Sequence, residues 1–270
     1  MPKRLLVRTA SALVMAPVAL GAAWAGGWWL AGLLALVGTY ATIEWNRMTS
    51  SAHAALSILN AVVFILAGIS FVGQGVAVAL LFLGAGASLA VIVGILTRTG
   101  PLWPVLGLLY LGSAMIALLW IREFAGWVSV LWLFVIVWAT DIGAYLSGSL
   151  IGGPKLVPRI SPNKTWAGLV GGCMLAAILS SALLFWHGEG WARAVPLALL
   201  VLLGLLLAVG SQVGDIVESW IKRHFKVKDS GTLIPGHGGI LDRIDSLVFI
   251  APFVAVSLFL IGEYGIPLNG

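Results

Sequence analysis

Charge is what this chain has least of. Only 9% of its 270 residues are Asp, Glu, Lys or Arg, where a soluble globular domain carries about 25%. A water-soluble fold is thereby excluded. There is one cysteine, Cys173, set in an apolar stretch, which rules out an intrachain disulfide and a cysteine-based metal site. Nothing in the sequence reads as a redox protein. GxxxxGK[ST], HExxH, GxSxG and CxxC are all missing, and with them the usual signatures of P-loop, zinc-peptidase, hydrolase and thiol-redox chemistry. No low-complexity linker and no internal repeat is evident.

What fills the chain instead is apolar sequence: 60% of residues are hydrophobic and the mean hydropathy is +1.07. With ~20 apolar residues needed per crossing, the length holds roughly eight to ten membrane helices and no sizeable soluble domain. The expected fold is an all-α integral membrane protein, a polytopic bundle of about nine transmembrane helices. The runs place these spans at 5–25, 27–44, 54–73, 75–96, 101–121, 127–149, 166–187, 195–221 and 245–262. Helices are the expected spanning element because backbone facing lipid must satisfy its own hydrogen bonds. Turns near Gly26–Gly27 and Gly73–Gly75 are expected to be very short, while 150–165 and 222–244 are the only long connections.

Cations are unevenly shared between the two sides. Nine spans put Lys3, Arg4, Arg8, Arg47, Arg98, Lys155, Arg159, Lys164, Lys222, Arg223, Lys226, Lys228 and Arg243 on one side, and only Arg122 and Arg193 on the other. Positive charge retained inside then predicts a cytoplasmic N-terminus, cytoplasmic long loops and an outside C-terminus. The first run, ending in Ala23-Trp24-Ala25, imitates a cleavable signal, yet it leads straight into another apolar run and is expected to be retained. The net charge of +5 lies in short loops and does not suggest nucleic-acid binding.

Acids inside apolar runs are costly, at least ~2.5–3.5 kcal/mol at a helix centre, and usually face a bundle interior or an aqueous cavity. Glu44 has Arg47 at i+3, which predicts an interfacial ion pair. Asp141 follows LWLFVIVWAT and is open to either a structural or a functional role. Asp215, Ser219 and Lys222 fall at i, i+4 and i+7 on one helical face. An ion-pair ladder at a helix end explains Glu218 with Lys222, but not Asp215, a full turn deeper.

The segment Ser219–Asp245 gathers five of the fifteen basic residues, three carboxylates, two histidines and four glycines. Glycines at this density allow close approach of backbone N–H groups to an anion. Asp242 and Asp245 stand at i and i+3 in a first helical turn. Acids there favour the helix dipole, at ~0.3–1 kcal/mol each, but like charges on one face also invite a divalent cation. With Asp215, hard oxygen ligands suit Mg²⁺. His237 could be a base, a ligand or a phosphate or loop contact. In the other long loop, Ser161, Pro162 and Asn163 predict a turn leading to Lys164 and Thr165 at the next helix start, a position suited to an anion.

These residues resemble the signature of the phosphatidate cytidylyltransferases, or CDP-diacylglycerol synthases: S-x-x-K-R, K-D, P-G-H-G-G and D-R-x-D, in order and at the right spacing. Here they are Ser219, Lys222-Arg223, Lys228-Asp229, Pro235-Gly236-His237-Gly238-Gly239 and Asp242-Arg243-x-Asp245. TDIGAY at 140–145 and SPNKTWAG at 161–168 are also similar to the family. The latter has Ala167 where a glutamate often stands, so no acid acts from that place. The resemblance covers the C-terminal half and divides the chain into N-terminal transmembrane helices (1–125) and a catalytic transmembrane region (126–270) containing loop 219–245.

The resemblance implies transfer of CMP from CTP to phosphatidate with Mg²⁺, at the cytoplasmic side of the cell inner membrane, with room for a homodimer. It implies catalytic roles for Lys164, Lys222, Arg223, Lys228, Asp229, His237, Arg243 and Asp245. Substrate contacts would come from Ser161, Asn163, Thr165, Ser219, Gly236, Gly238 and Gly239, and metal ligands from Asp215, Asp242 and Asp141. A cytidylyltransferase for another lipid phosphate and an ion-coupled transporter are the competing readings.

Overall fold

The computed structural model describes residues 3–49, 51, 54–188, 190–234 and 238–263. Its long helices are α1 (Lys3–Ala25), α2 (Gly27–Met48), α3 (Ala54–Gln74), α4 (Val76–Leu96), α5 (Leu102–Phe124), α6 (Gly126–Leu150), α7 (Trp166–His187), α9 (Leu197–His224) and α10 (Leu241–Glu263). A four-residue helix, α8 (Trp191–Ala194), precedes α9, and a hairpin of β1 (Lys155–Val157) and β2 (Ser161–Thr165) joins α6 to α7. Among the described residues seven helices, α3 to α7, α9 and α10, are long and apolar enough to cross a membrane. The chain is a multi-pass, all-helical membrane protein. Helix α1 offers a shorter apolar stretch, Leu13–Ala25, and α2 is diluted by Trp28, Trp29, Thr39, Tyr40, Thr42 and Glu44.

Two compact units make up the chain: residues up to Trp120 with Lys222–Ile244, and Ile121–Ile221 with the chain from Asp245 on. The loop after α9 therefore belongs with the N-terminal helices.

In the first unit α1 lies beside α2, α2 beside α3 and α3 beside α4. Gly26 (φ +65°) and Gly75 (φ +92°) occupy the left-handed region that only glycine enters without strain. Helix α2 is fixed to α5 by Trp45, whose indole N–H donates to the Trp103 carbonyl at 2.7 Å. Its ring lies against Gly107, where a Cβ would collide with it. Trp103 in turn meets His224 and Phe225 at ring-centroid distances of 5.9 and 4.9 Å.

The second unit is held by α6 against α7. Gly143, Gly168, Gly171 and Gly172 let the two backbones approach as small residues do in membrane helices; a Cβ on Gly172 would stand 2.7 Å from the Thr140 carbonyl oxygen. Gly172→Ala should therefore cost ~1–3 kcal/mol through overpacking, read as a lower midpoint of thermal unfolding in detergent. An unchanged midpoint would mean the helices have room that this packing denies. Across α9 and α10, Ser246 Oγ donates to the Ser211 carbonyl at 2.9 Å, and Gly214 accommodates Phe249.

The hairpin corrects the expected turn. Ser161, Pro162 and Asn163 lie in strand β2, paired antiparallel with β1 through Val157↔Ser161 and Lys155↔Thr165. The turn falls earlier, at residues 158–160. Proline is tolerated because a two-stranded sheet has only edge strands.

Candidate active site

In the first unit the chain leaves α9 and returns at α10. Just past α9, Lys226 takes φ +58°, its N–H donating to Arg223 O while Val227 N–H donates to Lys222 O. Arg223 Nη1 adds a bond to Val227 O at 3.1 Å. Further on, Ile234 and Gly238 exchange both backbone hydrogen bonds, and Gly238 takes φ +90°, a glycine conformation. Pro235, Gly236 and His237 lie outside the described residues.

Asp242 organises this loop. Its Oδ1 accepts from Lys222 Nζ at 2.7 Å. Oδ2 accepts from Gly239 N–H at 3.0 Å and from Ser230 N–H at 3.1 Å. The bond from Gly239 N–H ties the end of the loop to the first turn of α10. Side-chain exposure is 12% for Lys222 and 8% for Asp242, so this pair is largely desolvated. The N–H groups of Gly238 and Gly239 are thus directed to Ile234 and Asp242 within the loop itself. Arg223, Lys228, Asp229 and Arg243 are exposed.

A second lysine–aspartate pair belongs to the second unit. Lys164 Nζ donates to Asp215 Oδ2 at 2.8 Å and to Gln212 Oε1 at 2.9 Å. Ser219 Oγ donates to Asp215 Oδ1 at 3.2 Å, as the i, i+4 spacing on α9 requires. Asp215 keeps 31% of its side chain exposed. Thr165 is the N-cap of α7, its hydroxyl accepting from Gly168 N–H at 3.0 Å. Asn163 is exposed and Ser161 half-buried on β2; Asp141 is exposed on α6, and Asp245 Oδ1 accepts from Ser246 N–H. Among the described residues no three His, Cys, Asp or Glu side chains converge as a ready-made metal site.

Glu44 departs from its sequence reading. Arg47 is exposed, whereas Glu44 is 4% exposed and turned inward. Its Oε2 accepts from Leu241 N–H at 2.9 Å and Ser230 Oγ at 3.2 Å. A buried carboxyl cannot share a pair with a cation that stays in solvent. Gln212 and Ser230 were also unforeseen. Gln212 had a signal, standing one turn before Asp215; Ser230 and Glu44, 186 positions apart, had none.

A multi-pass helical membrane protein with two lysine–aspartate pairs, one at each of two basic connections, is the class that fold and residues define. The profile of the cytidylyltransferase family matches residues 6–261, and the chain belongs to that family. It is 37% identical over 270 residues to the phosphatidate cytidylyltransferase of Brucella suis biovar 1, covering 97% of this chain and 96% of the relative. The Brucella abortus biovar 1 protein of that name is 39% identical over 254 residues, covering 92% and 90%. One from Staphylococcus aureus is 47% identical over 134 residues, 48% of each chain.

Proposed function

We propose that the protein transfers CMP from CTP to phosphatidate, giving CDP-diacylglycerol and pyrophosphate. The observation that carries this is near-full-length similarity to proteins of that name, in a chain whose signature residues Lys222 and Asp242 pair at 2.7 Å. A phosphatidate phosphate oxygen attacks the α-phosphorus of CTP; the bond to the β-phosphate breaks and pyrophosphate leaves. The nucleophile is a phosphate monoester with a second pKa of ~6, so it is mostly dianionic at neutral pH and needs little help from a base. The difficulty is to bring one polyanion onto another, which calls for fixed positive charge and alignment.

Lys164, Lys222, Arg223, Lys228 and Arg243 grip phosphates in this reading. Asp215 and Asp242 hold the two lysines at fixed positions, so the ammonium groups are oriented before substrate arrives. The donor set suits Mg²⁺, being carboxylate oxygen, with Asp215 the more accessible of the two. Asp215, with 31% of its side chain exposed, would hold the ion, which when bound would neutralise triphosphate charge; among the described residues Asp141 and Asp242 do not join it in a ready-made site. The thirteen-to-two cation bias of a nine-span reading supports a cytoplasmic N-terminus.

Purified protein given CTP, Mg²⁺ and a panel of lipid phosphates should form a CDP-lipid best from phosphatidate, and excess EDTA should stop it. Full turnover in EDTA would remove the metal from the account; preference for a polyprenyl phosphate would replace the acceptor.

A further inference from the structure

Glu44 is the one buried acid of α2, and the mechanism above does not use it. Burying a carboxyl group is costly unless its oxygens are bonded, so its buried position calls for a reason. The loop between α9 and α10 supplies one. Leu241 N–H is among the first donors of α10, which have no partner within the helix; Glu44 Oε2 accepts it at 2.9 Å. The same oxygen accepts the Ser230 hydroxyl at 3.2 Å. Gly231 and Gly239 flank the carboxyl group, and a Cβ on either would collide with its oxygens. The loop is folded around this one side chain.

Ser230 makes the connection to the charged pair. Its hydroxyl goes to Glu44 while its N–H goes to Asp242 at 3.1 Å, and Asp242 holds Lys222 at 2.7 Å. We propose that Glu44 is a positioning residue: helix α2, far from the signature in sequence, sets the place of Asp242 and Lys222 through Ser230 and the start of α10. The catalytic consequence rests on the function proposed above; the loop-ordering consequence does not. Among the described residues Glu44 Oε1 has no hydrogen-bond partner, so both bonds need a single acceptor oxygen. An amide can supply that oxygen, whereas it could not replace a general base.

The test compares Glu44→Ala, Glu44→Gln and Ser230→Ala in purified full-length protein. Glu44→Ala should lower kcat/KM for CTP about 10²-fold, the scale of a misplaced catalytic group, and speed tryptic cleavage after Lys226 and Lys228. Glu44→Gln should recover most of the activity and slow cleavage back to wild-type rates. Ser230→Ala, losing one of the two bonds, should fall between, and it decides the matter should Glu44→Ala not accumulate in the membrane. Wild-type cleavage and turnover in the alanine variants would overturn the proposal. So would a glutamine variant as inactive as alanine with an unchanged cleavage rate, which would make the charge itself essential. If wild-type protein transfers no CMP to phosphatidate, the proposed function fails, while the cleavage rates still judge Glu44.

Discussion

Asp242→Asn should lower CMP transfer by about 10²–10³-fold in kcat, the loss seen when one preorganised electrostatic contact is removed. The substitution is nearly isosteric, but the amide has no satisfactory orientation. One oxygen of Asp242 faces the Lys222 ammonium and a backbone N–H, and the other faces the N–H groups of Gly239 and Ser230. Wherever the new NH₂ points, a donor meets a donor. An unsatisfied buried group costs ~1–3 kcal/mol, and Lys222, only 12% exposed, loses the carboxylate charge at 2.7 Å. Were the carboxylate present only to complement the dipole of α10, the change would cost at most ~1 kcal/mol and leave turnover intact. Turnover and thermal stability in detergent, measured together, separate the two. Near wild-type transfer by Asp242→Asn would leave only the dipole role.

The second large effect is expected at the Lys164–Asp215 pair, and its two members should behave differently. Lys164→Met removes a cation that Asp215 and Gln212 hold at 2.8 and 2.9 Å; a loss of about 10²-fold or more in kcat is expected. Arginine should rescue it poorly, because a planar guanidinium fork does not reproduce a compact ammonium held by two acceptors. Raised Mg²⁺ should do nothing for Lys164→Met. For Asp215→Asn a comparable loss is expected, but with a higher Mg²⁺ concentration at half-maximal rate and partial recovery as Mg²⁺ rises. A Mg²⁺ titration of both variants checks this; identical curves would mean Asp215 serves only to hold Lys164.

Much of this arrangement was legible because it is local. The i, i+4 bond from Ser219 to Asp215 follows from helical periodicity, and the glycine turns after α1 and α3 follow from two apolar runs meeting at Gly26 and Gly75. Apolar runs located the helices but drew their ends short. Helix α9 reaches His224, since its last turn is polar yet still hydrogen-bonded, and α10 begins at Leu241, tied to the loop through Asp242. The hairpin was not legible: Ser-Pro-Asn has turn chemistry, and only pairing with Lys155–Val157 makes it a strand. Least legible was Glu44. An i+3 arginine offered a local partner, and no pattern in a single chain announces a hydrogen bond to residues nearly two hundred positions away.

CMP transfer is tested most directly by the fate of the CTP phosphates. Purified protein in phosphatidate-containing detergent micelles would be given CTP labelled at the α-phosphorus or at the γ-phosphorus. The α-label should pass into a chloroform-soluble CDP-lipid, and the γ-label should appear only in pyrophosphate, in equal molar amount. A γ-label recovered in lipid or as free orthophosphate, or an α-label that stays water-soluble in the presence of phosphatidate, would contradict it.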